Sequence, residues 1–507
     1  MKALCCLFLL LLASTAYSQS ANGIFDADTD IGSPKQTGTS QYHAADQTYT
    51  LKGGGYNIWF GRDEFNFLYK TLKGDFILTA NVAFEGAGTD PHRKIGWMIR
   101  ESKDDNSPHI SGTLHGDGLI SLQWREIKGA FMRDPQDEIK SIKKYTSTLQ
   151  LERKGKEVIL RIANAGEPLQ IVGKHTMDNL PDEVLAGLFI CAHNDNVTET
   201  GKAWNVRIDQ PVPDKYNPDT SGYVGSRLET LDITTGIRKV VHESNGRFEA
   251  PNWMPDGKSL LFNEGGSLYT IPVQGGTPQK LNTGDANRNN NDHGISFDGK
   301  MLAISNHRQG LPGGGSSVYV LPLQGGTPKL ITEQTPSYFH GWSHDGKYVL
   351  YVAQRGTPIY DVYKAPIAGG KEIKLTQTPP GAHVDGPEAS RDGKYIYYNA
   401  SNTGTMQLWR MKPDGSNKEQ VTFDDYNNWF PHLSPDGKWI AFISFPSDIN
   451  ANDHPAYKRV MLRLMPTTGG IAPKVIAFLY GGQGTINVTS WSPDSRSLAF
   501  VSNSGKP

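Results

Sequence analysis

The sequence predicts an all-β protein, a β-sandwich followed by a six-bladed β-propeller, and three observations carry that expectation. An apolar phrase built around Asp-Gly-Lys recurs through the second half of the chain. Each copy is partnered by a further hairpin pattern with its own turn residues. The first half has the same strand chemistry without the period. Composition agrees, because 55 glycines, 10 tryptophans and 21 tyrosines among 507 residues suit turn-rich sheets with aromatic faces.

The repeated phrase reads NWMPDGKSLLF (252 to 262), GISFDGKMLAI (294 to 304), GWSHDGKYVLY (341 to 351), EASRDGKYIYY (388 to 398), HLSPDGKWIAF (432 to 442) and SWSPDSRSLAF (490 to 500). Its aspartates, Asp256, Asp298, Asp345, Asp392, Asp436 and Asp494, are 42, 47, 47, 44 and 58 residues apart. That is the period of a four-stranded propeller blade. Hairpins such as SLYTIPVQGGTPQKLN and VYVLPLQGGTPKLIT follow the first five copies, and none follows the sixth. The missing pair stands upstream as RLETLDITTGIRKVV, 227 to 241. It is expected to join the last blade and latch the ring, which removes a free sheet edge. The Asp-Gly-Lys residues are turn chemistry, with glycine supplying the positive φ that such a hairpin needs.

These openers, together with the L-Y-x-x-x-x-x-G-G hairpins, resemble the six-bladed, WD40-like propeller of the TolB-like family over residues 223–507. The resemblance implies the fold. It implies little chemistry, because such blades serve in translocation proteins, peptidase specificity domains and carbohydrate-active proteins. A peptidase is disfavoured: the chain has no G-x-S-x-G elbow, and no hydrolase domain is expected after the ring.

Residues 22–210 carry alternating strands such as DFILTANVAFE (75 to 85) and KIGWMIRES (94 to 102), with turns at Gly116-Asp117-Gly118 and Lys154-Gly155-Lys156. Their order resembles the concanavalin-A-like jelly-roll modules of secreted carbohydrate proteins. On that module Arg100, His115, Gln123, Trp124 and Arg125 could line a sugar platform or simply a solvated face, while Trp59 and Trp97 read as core. The segment 211–222, rich in proline and aspartate, reads as the linker.

Residues 1–18 read as a secretory signal peptide: Lys2, an apolar stretch through Leu12, and the small-x-small pattern Ala16-Tyr17-Ser18. The expected mature protein is periplasmic or secreted, has no transmembrane segment, and keeps one thiol, Cys191, so no disulfide framework supports it. A net charge of −1 argues against nucleic acid as partner.

In a propeller the two sets of loops leave by opposite faces. Here one set is short and repeated, and the other is long and individual, as in TPPGAHVDGPE (378 to 388) and FPSDINANDHPAYK (445 to 458). The irregular face is where function is expected. Just ahead of the openers stand Glu249, Asp292, His293, His340, His383, Asp385, Glu388, Trp429 and His432, all on strands that should converge on the axis. Three readings stay open. The histidines and carboxylates could tie neighbouring blades together. Glu249, Asp292, His293, His340, His383 and His432 could bind a polyhydroxylated ligand stacked on Trp429 or Tyr338, which makes carbohydrate or a glycan-bearing envelope protein the partner. Alternatively His293, His340 and His432 could hold a divalent metal, or Asp385 and Glu388 could act as acid and base in a glycan hydrolase or lyase. An envelope protein-interaction scaffold is the remaining class.

Overall fold

Fourteen of the strands, between Ala27 and Asp209, form two antiparallel seven-stranded sheets in a computed structural model that describes residues 21–505. The expected signal peptide lies outside the described residues. One sheet runs in the order Ala27–Ile31, Phe65–Lys73, Glu183–Cys191, Lys94–Arg100, His109–His115, Ile120–Arg125, Glu138–Lys140. The other runs Gln170–Thr176, Glu157–Ala163, Thr148–Lys154, Phe76–Glu85, Glu199–Asp209, Thr48–Gly53, Thr39–His43. Alternation along each strand sends Ile95, Trp97 and Ile99 from the first sheet against Leu78, Leu151 and Leu160 from the second, in one shared core. Trp97 is core as expected. Trp59 is not: it sits part-exposed in a loop whose carbonyl accepts the Met132 N–H.

Five four-stranded sheets follow, starting at Phe248–Trp253, Asn289–Ile295, Ser337–Trp342, Val384–Ala389 and Asn427–Leu433. The sixth blade is the composite the sequence predicts. Gly225–Asp232 pairs antiparallel with Ser497–Ser504, setting Leu228 opposite Val501, and Arg238–Ser244 adds the outer strand. The repeated turn has a repeated mechanism, clearest at the fifth copy. The Ser434 hydroxyl donates to Asp436 at 2.6 Å, the same carboxylate accepts the Lys438 N–H at 3.1 Å, and Gly437 takes φ +72°. In the sixth copy, where serine replaces glycine, Ser495 carries the positive φ.

The sheets and the ring meet at a buried ion network. Glu229 lies between Arg207 of the sandwich, at 2.5 Å, and Arg238 of its own blade, at 2.8 Å, and accepts a hydrogen bond from Ser502. Burial opposes ionisation of Glu229, yet the two guanidiniums outweigh it and bring its pKa down to about 2. The segment read as a linker is also tied down: the Val212 N–H donates to the Tyr480 hydroxyl of the propeller, and Gln210 just ahead of it donates its N–H to the Ser504 hydroxyl. Among the described residues no helix is long and apolar enough to cross a membrane.

Candidate functional site

The innermost strand of each of the first five blades has a break in register a few residues ahead of the Asp-Gly-Lys turn. The breaks fall between Glu249 and Asn252, Asn289 and His293, Phe339 and Gly341, Asp385 and Glu388, and Trp429 and His432. Three residues within them, Ala250, Gly386 and Phe430, adopt positive φ. A bulge adds a residue to one strand and re-aims the side chains around it. The residues singled out in the sequence therefore lie on or beside a bend, and neighbours three apart part company.

Asp385 is the centre of one charged group. His340 Nε2 approaches its carboxylate at 2.7 Å, His454 at 3.6 Å and His383 at 3.8 Å. The side chains of His383 and His454 are each 22% exposed while Asp385 is 11% exposed, so the two histidines are the part a solute meets first. Burial opposes ionisation of Asp385, but His340 above all, with His383 and His454 close by, holds its carboxyl well below the usual range. Burial likewise disfavours the His340 imidazolium, yet Asp385 and Asp292 push its pKa up to about 9. Asp292 faces the same group. Burial, with Asp385 and Glu249 adding to it, pushes Asp292 up to about 7 against the opposing influence of His340 and His454. The site thus places one carboxyl that is ionised beside one poised to carry a proton near neutrality.

Aromatic side chains shape the walls. Trp429 meets His454 edge-on at 4.4 Å between ring centroids and His383 at 5.6 Å, and Tyr360 packs on His383 at 5.4 Å and beside Tyr338 at 6.1 Å. Trp429 itself is fully buried. It backs the histidines and has no free face, which corrects its expected role as a stacking platform. Tyr338 and Tyr360 are half-buried and remain available.

Other predicted residues stand apart from this group. His432 has both ring nitrogens engaged, Nδ1 with Glu388 at 2.8 Å and Nε2 with the Ile486 carbonyl at 2.6 Å, so it has no lone pair to offer a metal. Glu388 accepts the Leu433 N–H at 2.9 Å and the Thr489 hydroxyl at 2.6 Å besides, which joins the fourth, fifth and sixth blades and leaves it no role as an acid paired with Asp385. His293 is fully buried, and burial lowers its pKa to about 4. Glu249 is paired with Arg247 and accepts a hydrogen bond from Asn291 at 3.3 Å. Among the described residues no group of three or more His, Cys, Asp or Glu side chains is arranged to hold a metal ion, so His293, His340 and His432 do not form the expected ligand triad. Sequence reasoning missed His454. It belongs to the loop 445–458 and has no counterpart in the repeat; its only signal was a histidine in a long irregular loop on the functional face.

The sandwich residues do not form an open sugar platform. Arg125 is fully buried in a two-pronged pair with Asp63 at 2.7 and 2.8 Å, and Arg100 is buried 3.6 Å from the same carboxylate. Their guanidiniums hold loops through the carbonyls of Phe60, Ala130, Ser102 and Asp104. Trp124 faces the core and stacks on His175 at 3.8 Å, and His115 and Gln123 are buried. Cys191 is a buried free thiol.

No family model matches the chain. A relative from Agrobacterium fabrum, the uncharacterized protein Atu1656, is 44% identical over 281 residues, which is 55% of this chain and 93% of that protein. A solved TolB-like structure from Agrobacterium tumefaciens is 44% identical, with a TM-score of 0.52, and covers 56% of this chain and 99% of its own. TolB from Acinetobacter baumannii is 14% identical over 66% of this chain and 79% of its own, with a TM-score of 0.39, a likeness too low to argue from.

Proposed function

Because the chain belongs, through its propeller, to the TolB-like family of its Agrobacterium relatives, we propose that it is an exported periplasmic or cell-envelope protein. On this reading it recognises carbohydrate or a glycan-bearing envelope partner through the irregular face of the ring. The observation that carries the reading is the Asp385 group. Fixed donors on His340, His383 and His454 surround fixed acceptors on Asp385 and Asp292, with the half-buried Tyr338 and Tyr360 beside them. A polyhydroxylated ligand needs donors and acceptors together, and an aromatic wall suits the apolar face of a sugar ring. The reading of the first 210 residues as a concanavalin-A-like jelly roll, with a linker at 211–222, is part of the same proposal and is supported by the two seven-stranded sheets.

A hydrolytic or lyase reading has one specific observation in its favour, the split between Asp292, pushed up to about 7, and Asp385, held well below the usual range. That split would make Asp292 the acid and Asp385 the base or stabilising carboxylate. One experiment separates the readings. The purified protein and its Asp385→Asn and Asp292→Asn variants are screened on a glycan array, and bound glycans are then analysed for products. Binding lost in Asp385→Asn without any product supports recognition. Product formation that disappears in Asp292→Asn while binding persists supports catalysis. No glycan retained by the folded wild type would overturn both and leave the protein-interaction scaffold.

A further inference from the structure

We propose that the seam between the sandwich and the fifth blade holds a second ligand site, specific for a small anion with an apolar body, such as a short acyl carboxylate. A cavity of about 250 Å³ lies there, lined by Ile77, Leu169 and Arg161 on the sandwich side and by Arg459, Met461 and Phe478 on the blade side. Its walls are fixed. The Gly166 carbonyl accepts the Val475 N–H at 2.9 Å, which pins the loop carrying Leu169 onto the outer strand of the blade.

The charged part of the lining is dominated by two arginines. Arg161 pairs with one oxygen of Glu152 at 2.5 Å, and Arg459 pairs with the other, so two guanidiniums share one carboxylate whose side chain is 2% exposed. The lining acid, Asp209, is engaged by Arg227. The cavity is thus lined by two guanidiniums and by one carboxylate that Arg227 already engages, beside an apolar wall. The Arg161 side chain is 18% exposed and that of Arg459 is 42% exposed, so both are reachable from the cavity, and an arriving carboxylate would meet the planar fork of a guanidinium. The volume lies just under the roughly 300 Å³ at which small-molecule sites begin, which selects a compact ligand over a polymer. This site is distinct from the Asp385 group and shares no residue with it.

The test is calorimetric titration of the full chain with octanoate, and with octanol as its uncharged counterpart. The wild type is expected to bind octanoate at least about tenfold more tightly than octanol, because the charged hydrogen bond is the discriminating contact. Leu169→Trp, which fills the cavity from a part-exposed position, and Arg161→Gln, which removes a guanidinium, should each weaken octanoate by about tenfold or more. Asp385→Asn should leave it unchanged. Octanoate that fails to bind the wild type, that binds both seam variants as tightly as the wild type, or that binds no better than octanol would overturn the proposal.

Discussion

Two histidine–carboxylate pairs stand three residues apart on one strand, and they behave in opposite ways. Asp385 and Glu388 both lie on Val384–Ala389, and the bulge between them sends one toward His340 of the third blade and the other toward His432 of the fifth. The distances are nearly the same, 2.7 and 2.8 Å. What differs is the rest of the bonding. Glu388 is satisfied by a backbone N–H, a hydroxyl and an imidazole from two neighbouring blades, and its histidine is satisfied in turn. Asp385 is crowded by three histidines, two of them reachable from solvent, with a second carboxyl nearby that resists ionisation. A saturated buried pair holds blades together. In the crowded group the penalty falls on the second carboxyl, Asp292, whose ionisation burial and its neighbours oppose.

The largest expected effect tests the saturated pair. Glu388→Ala should destabilise the protein by about 3 to 5 kcal/mol in urea unfolding, because it leaves His432 Nδ1, the Leu433 N–H and the Thr489 hydroxyl without a partner. A change below 1 kcal/mol would show that the three blades are not joined there, and would erase the contrast with Asp385.

The crowded pair should respond with the opposite sign. The folded-state pKa of Asp292 is raised above its unfolded value, so between about pH 4 and 7 the folded protein binds more protons, and stability falls as pH rises through that window. Asp292→Asn removes the penalty and should stabilise the protein by about 1 to 3 kcal/mol at pH 8 while flattening the slope. The His340 pKa is raised as well, but against burial, because Asp385 and Asp292 favour its charged form. Its raised pKa contributes stability that is complete below about pH 6.5 and is lost as pH rises through about 9, so His340→Gln should remove the decline in that upper window. Unfolding curves at a series of pH values read both effects. A wild-type profile that is flat from pH 4 to 9 would show that the Asp385 group is no more strained than the Glu388 one.

The smallest effect belongs to the opposite rim, where no function is expected. Gly437 has φ +72° and open space around the position a Cβ would take, so Gly437→Val meets backbone strain and no clash. The expected loss is about 1 to 2 kcal/mol in thermal unfolding, with ligand binding at the funnel unchanged in the folded protein. A loss of binding would mean that the two faces communicate, which their separate chemistry does not predict.

Much of the fold was legible because it is local and repeated. Asp-Gly-Lys between two apolar runs specifies a hairpin wherever it occurs, six copies at a near-constant interval specify a ring, and an unmatched hairpin at 227 to 241 against an unmatched opener at 490 to 500 specifies the latch. The candidate site was legible only as a neighbourhood. Repeat alignment brought Asp292, His340, His383 and Asp385 to one funnel, and it also brought in His293, Trp429, His432 and Glu388, which the structure turns to other uses.

By itself, then, the sequence determined the strand chemistry, the blade count and the face that carries irregular loops, since each follows from side-chain alternation and turn residues a few positions apart. Only the tertiary structure decided which carboxylate is saturated and which is crowded. That outcome depends on a bulge that shifts register by one residue, on His454 arriving from a loop outside the repeat, and on which blade stands next door. Each of these is a distance between residues far apart in the chain, and the electrostatics of the site follows distance and burial rather than spacing.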